Sequence, residues 1–160
     1  MMTAATGGHI LLIEDERDGV ALEILGGEKE DPKVLEHGAA AVADMLTFYN
    51  ELLGVPYPYP VYRQVFVQGF LYGGLENATL TTITDERLVE KGGEGRVQRL
   101  TGVVAHELAH HWFGDLITCY GWRELWLNEG FATFFEAEWV GHIEGPEARA
   151  REMRRRFERA

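Results

Sequence analysis

The first regularity along the chain has a period of two. Val20, Leu22 and Ile24 alternate with Ala21 and Glu23, which predicts a strand with one buried face. The apolar residues 10–13 predict a buried strand just before it, with residues 15–19 as a polar turn. The pair then forms a hairpin closed off by Gly26 and Gly27. Residues 1–8 show no pattern and are expected to be loose. After the hairpin the period lengthens. Asp31 and Pro32 mark a helix start, as N-cap and first-turn residue. Leu35, Val42, Leu46 (or Met45), Tyr49 and Leu53 give that helix an apolar face, and Gly54 gives it a stop. Pro56, Pro58 and Pro60 rule out more helix and predict an extended connector.

Residues 61–70, rich in Val, Phe and Tyr, predict a strand, and residues 80–84, β-branched at four of five positions, a returning one. Gly73 and Gly74 fall between them, just before Leu75, Glu76 and Asn77. A glycine pair at a sheet edge lets another backbone come close, so an extended peptide has room to add there as a strand. A plain hairpin turn is the alternative. Residues 91–95 predict a loop and residues 96–113 a helix, with Leu100, Val103, Val104 and Leu108 available for packing and Gly114 as its end. Residues 116–119 predict a short strand or buried loop. A second helix is expected over residues 127–139, stopping at Gly141, with Gly130 allowing close helix approach, and Pro146 opens a last one. Trp122 and Trp126 are expected in the core. The strands come before the helix pair at 96–113 and 127–139, so the fold class is α+β.

The 160 residues suit one domain with a modest core, and 46% hydrophobic with 26% charged residues is a globular composition. No apolar run is long enough to span a membrane. Acidic residues follow the four apolar ones at 10–13, so no secretory signal is expected and the location is expected to be cytoplasmic. Cys119 is the only cysteine, which excludes an internal disulfide; it is expected as a small buried apolar residue. A net charge of −11 argues against a nucleic-acid partner. The acidity is uneven: residues 144–160 hold six Arg against four Glu, which leaves −13 on residues 1–143.

The candidate chemistry lies in residues 104–115. His106 and His110 are four apart, so on a helix they project from one face, one turn apart, and together can grip one metal ion. Glu107 is rotated about 100° from them, near enough to reach a water at that ion but poorly placed as a ligand. This H-E-x-x-H spacing is a zinc-hydrolase pattern. A catalytic zinc takes three protein ligands and keeps one position for water. Glu129, eighteen residues beyond His110, is the candidate third ligand. His111 points away from the His106/His110 face and reads either as a support behind the metal ligands or as structural. Glu136, seven residues after Glu129, shares its face and either hydrogen-bonds a ligand His or is solvated. Glu107 would act as general base on the water.

Residues 106–115, residues 126–132 and Gly73-Gly74-Leu75-Glu76-Asn77 together resemble the zinc aminopeptidases of the membrane alanyl aminopeptidase type, which carry H-E-x-x-H, eighteen residues and Glu, with an upstream G-x-M-E-N segment. The resemblance covers residues 20–143. It implies a thermolysin-like zincin subdomain (a gluzincin), an N-terminal β-hairpin and sheet whose edge strand lies over a helical zinc-binding part. Residues 1–160 are then one partial catalytic domain: a β-rich part at 1–30, a zincin core at 31–143, and a basic helix at 144–160, expected to be truncated. The implied cofactor is one Zn2+ per chain, and the implied substrates are peptides with a free N-terminus. Gly73, Gly74, Glu76 and Asn77 would bind substrate, Glu76 by pairing with the α-ammonium. Leu75 stands where the family more often has Met, a volume-conserving change. Family members also use a Tyr well downstream of the glutamate ligand as an oxyanion donor. Neither Tyr72 nor Tyr120 matches that position, and the chain ends 31 residues after Glu129. A zinc-binding segment with weak or no turnover, a thermolysin-like endopeptidase and a zinc-bound scaffold therefore stand as alternatives to an aminopeptidase.

Overall fold

The computed structural model describes residues 9–27, 32–84 and 94–158. Strands β1 (His9–Arg17) and β2 (Val20–Gly27) pair antiparallel. Helix α1 (Pro32–Leu53) then carries the chain across to β3 (Val61–Val67), which lies parallel to β2. Strand β4 (Gly74–Asn77) turns back through two residues into β5 (Leu80–Thr84). The sheet order is β1-β2-β3-β5-β4, so β5 runs parallel beside β3 and β4 is left at the edge. Helix α2 (Glu94–His110), a 3-10 turn (Trp122–Glu124), α3 (Leu125–Glu144) and α4 (Pro146–Phe157) follow.

One face of the sheet is buried in register. Leu22 lies opposite Tyr62, Gln64 opposite Thr81 and Phe66 opposite Ile83, and all six are fully buried or nearly so. Helix α1 packs on β1 and β2, and α2 packs on β4 and β5. Helix α3 lies on α2, and α4 on α3. The core therefore runs from the sheet through Val42, Met45, Leu46 and Tyr49 of α1 and Val104 and Leu108 of α2 to Ala132, Phe135 and Trp139 of α3. The proline-rich connector passes beside the C-terminal end of α2, where the Trp112 indole N–H donates to the Val55 carbonyl at 3.1 Å.

Several boundaries differ from those the residue pattern predicts. Strand β1 continues through Glu14, Glu16 and Arg17, all exposed, and the turn shrinks to Asp18 and Gly19, both at positive φ (54° and 79°). An edge strand exposed here on both faces has no reason to alternate. Helix α2 starts at Glu94, and its final hydrogen bonds loosen after His110, three residues before the expected end. Residues 113 and 117 form only an isolated bridge. Helix α3 runs through Gly141 to Glu144, because Gly141 faces α4: a Cβ there would lie 2.9 Å from Arg149 Cβ. Gly130 meets nothing within 4 Å of its missing Cβ, so it is not the point of close helix approach. Trp122 and Trp126 are 88% and 68% exposed, which places them on the surface rather than in the core. Cys119 is only partly buried, in the wall of a small apolar recess with Phe113, Leu127 and Phe131. Asp31 and residues 1–8 and 91–93 lie outside the described residues.

Candidate metal centre

The two histidines sit on the last turns of α2, where the helix is wedged between the sheet and α3. Phe113 stacks on Phe131 (4.7 Å between centroids) and on Phe135 (5.0 Å), pinning the end of α2 to the first half of α3. The Tyr49 hydroxyl lies within donating distance of two carbonyls, Ala105 at 3.1 Å and Phe135 at 3.0 Å, so α1 braces both helices beside the site. Gly114 keeps the following turn close: a side chain there would come 3.1 Å from the His110 carbonyl and 3.4 Å from its ring.

With the helices so placed, His106 Nε2 and His110 Nε2 lie 3.2 Å apart, and Glu129 Oε2 is 3.4 Å from the first and 3.7 Å from the second. A tetrahedral ion with bonds of about 2.0–2.1 Å holds its ligand atoms about 3.3 Å apart. The outer nitrogens are held from behind. His110 Nδ1–H donates to the Phe113 carbonyl at 3.1 Å, and His106 Nδ1 faces Glu136 Oε2 at 3.5 Å. Where both rings are neutral and both Nδ1 atoms carry the proton, the two Nε2 lone pairs and a carboxylate oxygen converge on one point. That is a repulsive arrangement alone and a favourable one around a cation. The donor set thus fits a small tetrahedral dication.

Charge in the cluster is strongly perturbed even with protons as the only cations. Burial lowers the basicity of His106, but Glu129 and Glu136 outweigh it and push the imidazole up to about 9. His110 is raised too, burial again opposing and Glu129 prevailing. Hydrogen bonds from the same two rings hold Glu129 well below the ordinary carboxylate range. Burial raises Glu107 to about 7, with Glu76 and Glu129 adding to the rise and the two histidines opposing it.

Glu107 is 7% exposed and lies under β4. A Cβ on Gly74 would overlap its carboxylate, so the edge strand rests directly on this side chain. Ligand atoms of Glu76, Glu107 and His110 lie within 4.8 Å of one another. Gly74 and Glu76 are the partly buried positions of β4, whereas Leu75 and Asn77 alternate to its exposed face. The Asn77 side chain is therefore not part of the cluster. Gly73 is tied to the sheet, its carbonyl accepting from Thr84 N at 3.3 Å. His111 is fully buried on the far side of α2, its Nδ1 2.5 Å from the Tyr57 hydroxyl and its Nε2 3.4 Å from Thr81 Oγ1. Burial pushes it down to about 3, so it stays neutral. Glu136 is 6% exposed, which rules out a solvated face. Its Oε1 accepts from Arg156, in the basic last helix α4. No sequence signal links the two, because they meet across helices twenty residues apart.

Two imidazoles and a carboxylate, with a buried carboxylate beside them, are the residue types that a hydrolytic metal centre uses. The chain matches the peptidase family M1 domain over residues 38–159. It is 44% identical to aminopeptidase 2 of Candida albicans over 102 residues, 62% of this chain and 11% of that protein. It is 40% identical to endoplasmic reticulum aminopeptidase 1 of Homo sapiens over 104 residues (63% and 11%). With aminopeptidase M1 of Arabidopsis thaliana it shares 36% over 148 residues (89% and 16%). The chain belongs to peptidase family M1. It spans well under a fifth of the length of these relatives.

Proposed function

We propose that this chain carries the catalytic centre of a zinc aminopeptidase, which removes N-terminal residues from peptides and holds one Zn2+ through His106, His110 and Glu129. The observation that carries the proposal is the triangle of Nε2, Nε2 and Oε2 at 3.2, 3.4 and 3.7 Å, backed by outward-facing Nδ1 atoms. A zinc ion there supplies a Lewis acid that acidifies water and polarises a carbonyl. The protein's own residues do the rest. Glu107, buried beside His110, takes the proton from the attacking water and delivers it to the departing amine nitrogen. Glu76, projecting from β4 beside Glu107, pairs with the substrate's α-ammonium and so seats the first peptide bond over the centre. Strand β4 pairs only with β5 among the described residues, and its free edge offers backbone groups to an extended peptide.

Two variants test this. Glu107→Gln is expected to keep one zinc per chain and lose hydrolysis of an aminoacyl anilide by about 10²–10⁴-fold. Glu76→Ala is expected to abolish the preference for free over N-acetylated peptides. Undiminished turnover in Glu107→Gln overturns the base assignment, and an unchanged preference in Glu76→Ala overturns the amine anchor in favour of endopeptidase-like cleavage.

A further inference from the structure

We infer that Arg156, on the last helix, is a positioning residue for the metal centre: it anchors one oxygen of Glu136 so that the other faces His106. The inference rests on the zinc reading above and extends it to a helix that contributes no ligand.

The geometry runs through three side chains. Glu136 is 6% exposed, deep enough that its carboxylate needs partners on both oxygens. Oε1 accepts from Arg156 Nη2, and Oε2 lies 3.5 Å from His106 Nδ1. Arg156 is itself oriented. Its Nε donates to Glu152 Oε1 at 2.7 Å, one turn back on α4, and the same oxygen also accepts from Arg155 at 2.5 Å. The guanidinium therefore spans a carboxylate on its own helix and one on α3, a use of its planar fork that an ammonium cannot copy. On the other side Gly102 leaves space: a Cβ there would stand 3.1 Å from Glu136 Oε1. With the arginine as its anchor, Glu136 has one orientation, and His106 one tautomer, Nδ1–H outward and Nε2 toward Glu129. Without it, a buried carboxylate loses its cationic partner and turns to find another, and His106 loses its fixed acceptor.

The consequence is measurable without catalysis. Zinc affinity would be read by competition with a chromophoric chelator at one fixed pH, in wild type, Arg156→Met, Arg156→Lys, Glu136→Gln and the double variant Arg156→Met/Glu136→Gln. Arg156→Met is expected to lose about ten-fold or more in affinity, the range seen when a ligand's supporting partner is removed. Arg156→Lys is expected to recover part of it. Because Arg156 acts through Glu136, the arginine substitution is expected to add nothing in the Glu136→Gln background. Affinity unchanged in Arg156→Met, or lowered equally in both backgrounds, overturns the inference, the second result showing a packing effect of α4 alone. Should Arg156→Met not fold, Arg156→Lys in the two backgrounds makes the same comparison. Wild-type protein that takes up no zinc overturns the zinc reading as well, whereas tight wild-type binding with a silent Arg156 overturns only this one.

Discussion

At the scale of single residues, the site depends on polar groups buried away from the chemistry. His111 follows the ligand His110 directly, yet it faces the opposite way, ringed by Tyr57, Tyr59 and Tyr62 at 5.4–6.0 Å between centroids. Kept neutral by burial, it has one nitrogen to donate and one to accept, matching a hydroxyl on each side, Tyr57 and Thr81. His111→Leu leaves both hydroxyls short of a partner and is expected to cost about 1–3 kcal/mol in urea unfolding, with zinc stoichiometry kept. Retained stability would show that the cluster is held by ring packing alone. Tyr49 poses a similar question. Its single proton serves one of two carbonyls at a time, so Tyr49→Phe is expected to cost about 1 kcal/mol by the same measurement. The candidate ligands His106, His110 and Glu129 were legible from spacing, because their convergence depends on a four-residue step and one crossing between helices. Their surroundings were not: the Phe113 carbonyl behind His110 and the Arg156 guanidinium on Glu136 come from a turn and a distant helix, and nothing in local pattern marks either.

At the scale of elements, the two hairpin turns differ in how well their residues suit their backbone. Asp18 and Gly19 both take positive φ between antiparallel strands, and Asp–Gly is a pair that tolerates it. In the β4–β5 turn the positive φ of 67° falls on Thr79, a β-branched residue that clashes with its own backbone there. Opposite signs follow. Gly19→Ala is expected to destabilise by about 1–2 kcal/mol and Thr79→Gly to stabilise by about 1 kcal/mol, both read from denaturant midpoints. A destabilised Thr79→Gly would mean that the threonine side chain holds the edge strand more than its backbone strains it. The strain sits three residues from Glu76, at the edge strand overlying the metal site. Elements were read best where one face is buried: β2 alternates as its residues predict, and α1 stops where Gly54 follows. They were read least well where packing overrides pattern. Gly141 serves the packing of α4 on α3 rather than ending the helix, and residues 14–17 of β1, exposed and polar, extend a strand paired with β2.

At the scale of the whole molecule, the parallel order of β2, β3 and β5 was not legible, because it depends on how α1 returns the chain and not on any strand's composition. That topology matters for the metal. It sets α2 against the β5–β4 edge, so that Glu76 meets Glu107 and His110 while α3 brings Glu129 to the same histidine. The donor triangle therefore exists only while sheet, α2 and α3 are docked. An unfolded chain scatters Glu129 from the histidines, so under the proposed zinc binding only the folded state would hold the ion tightly. Zinc at a hundred times its dissociation constant is then expected to add about 2.7 kcal/mol. For a chain of this size that is about 5–10 °C in Tm. Chelation is expected to lower Tm by this amount and restored zinc to recover it. In His106→Ala and Glu129→Ala the response to zinc is expected to vanish while the sheet's circular dichroism persists. A Tm that rises with zinc equally in those variants would place the binding elsewhere on an acidic surface, and would separate the fold's stability from the metal centre that its docking assembles.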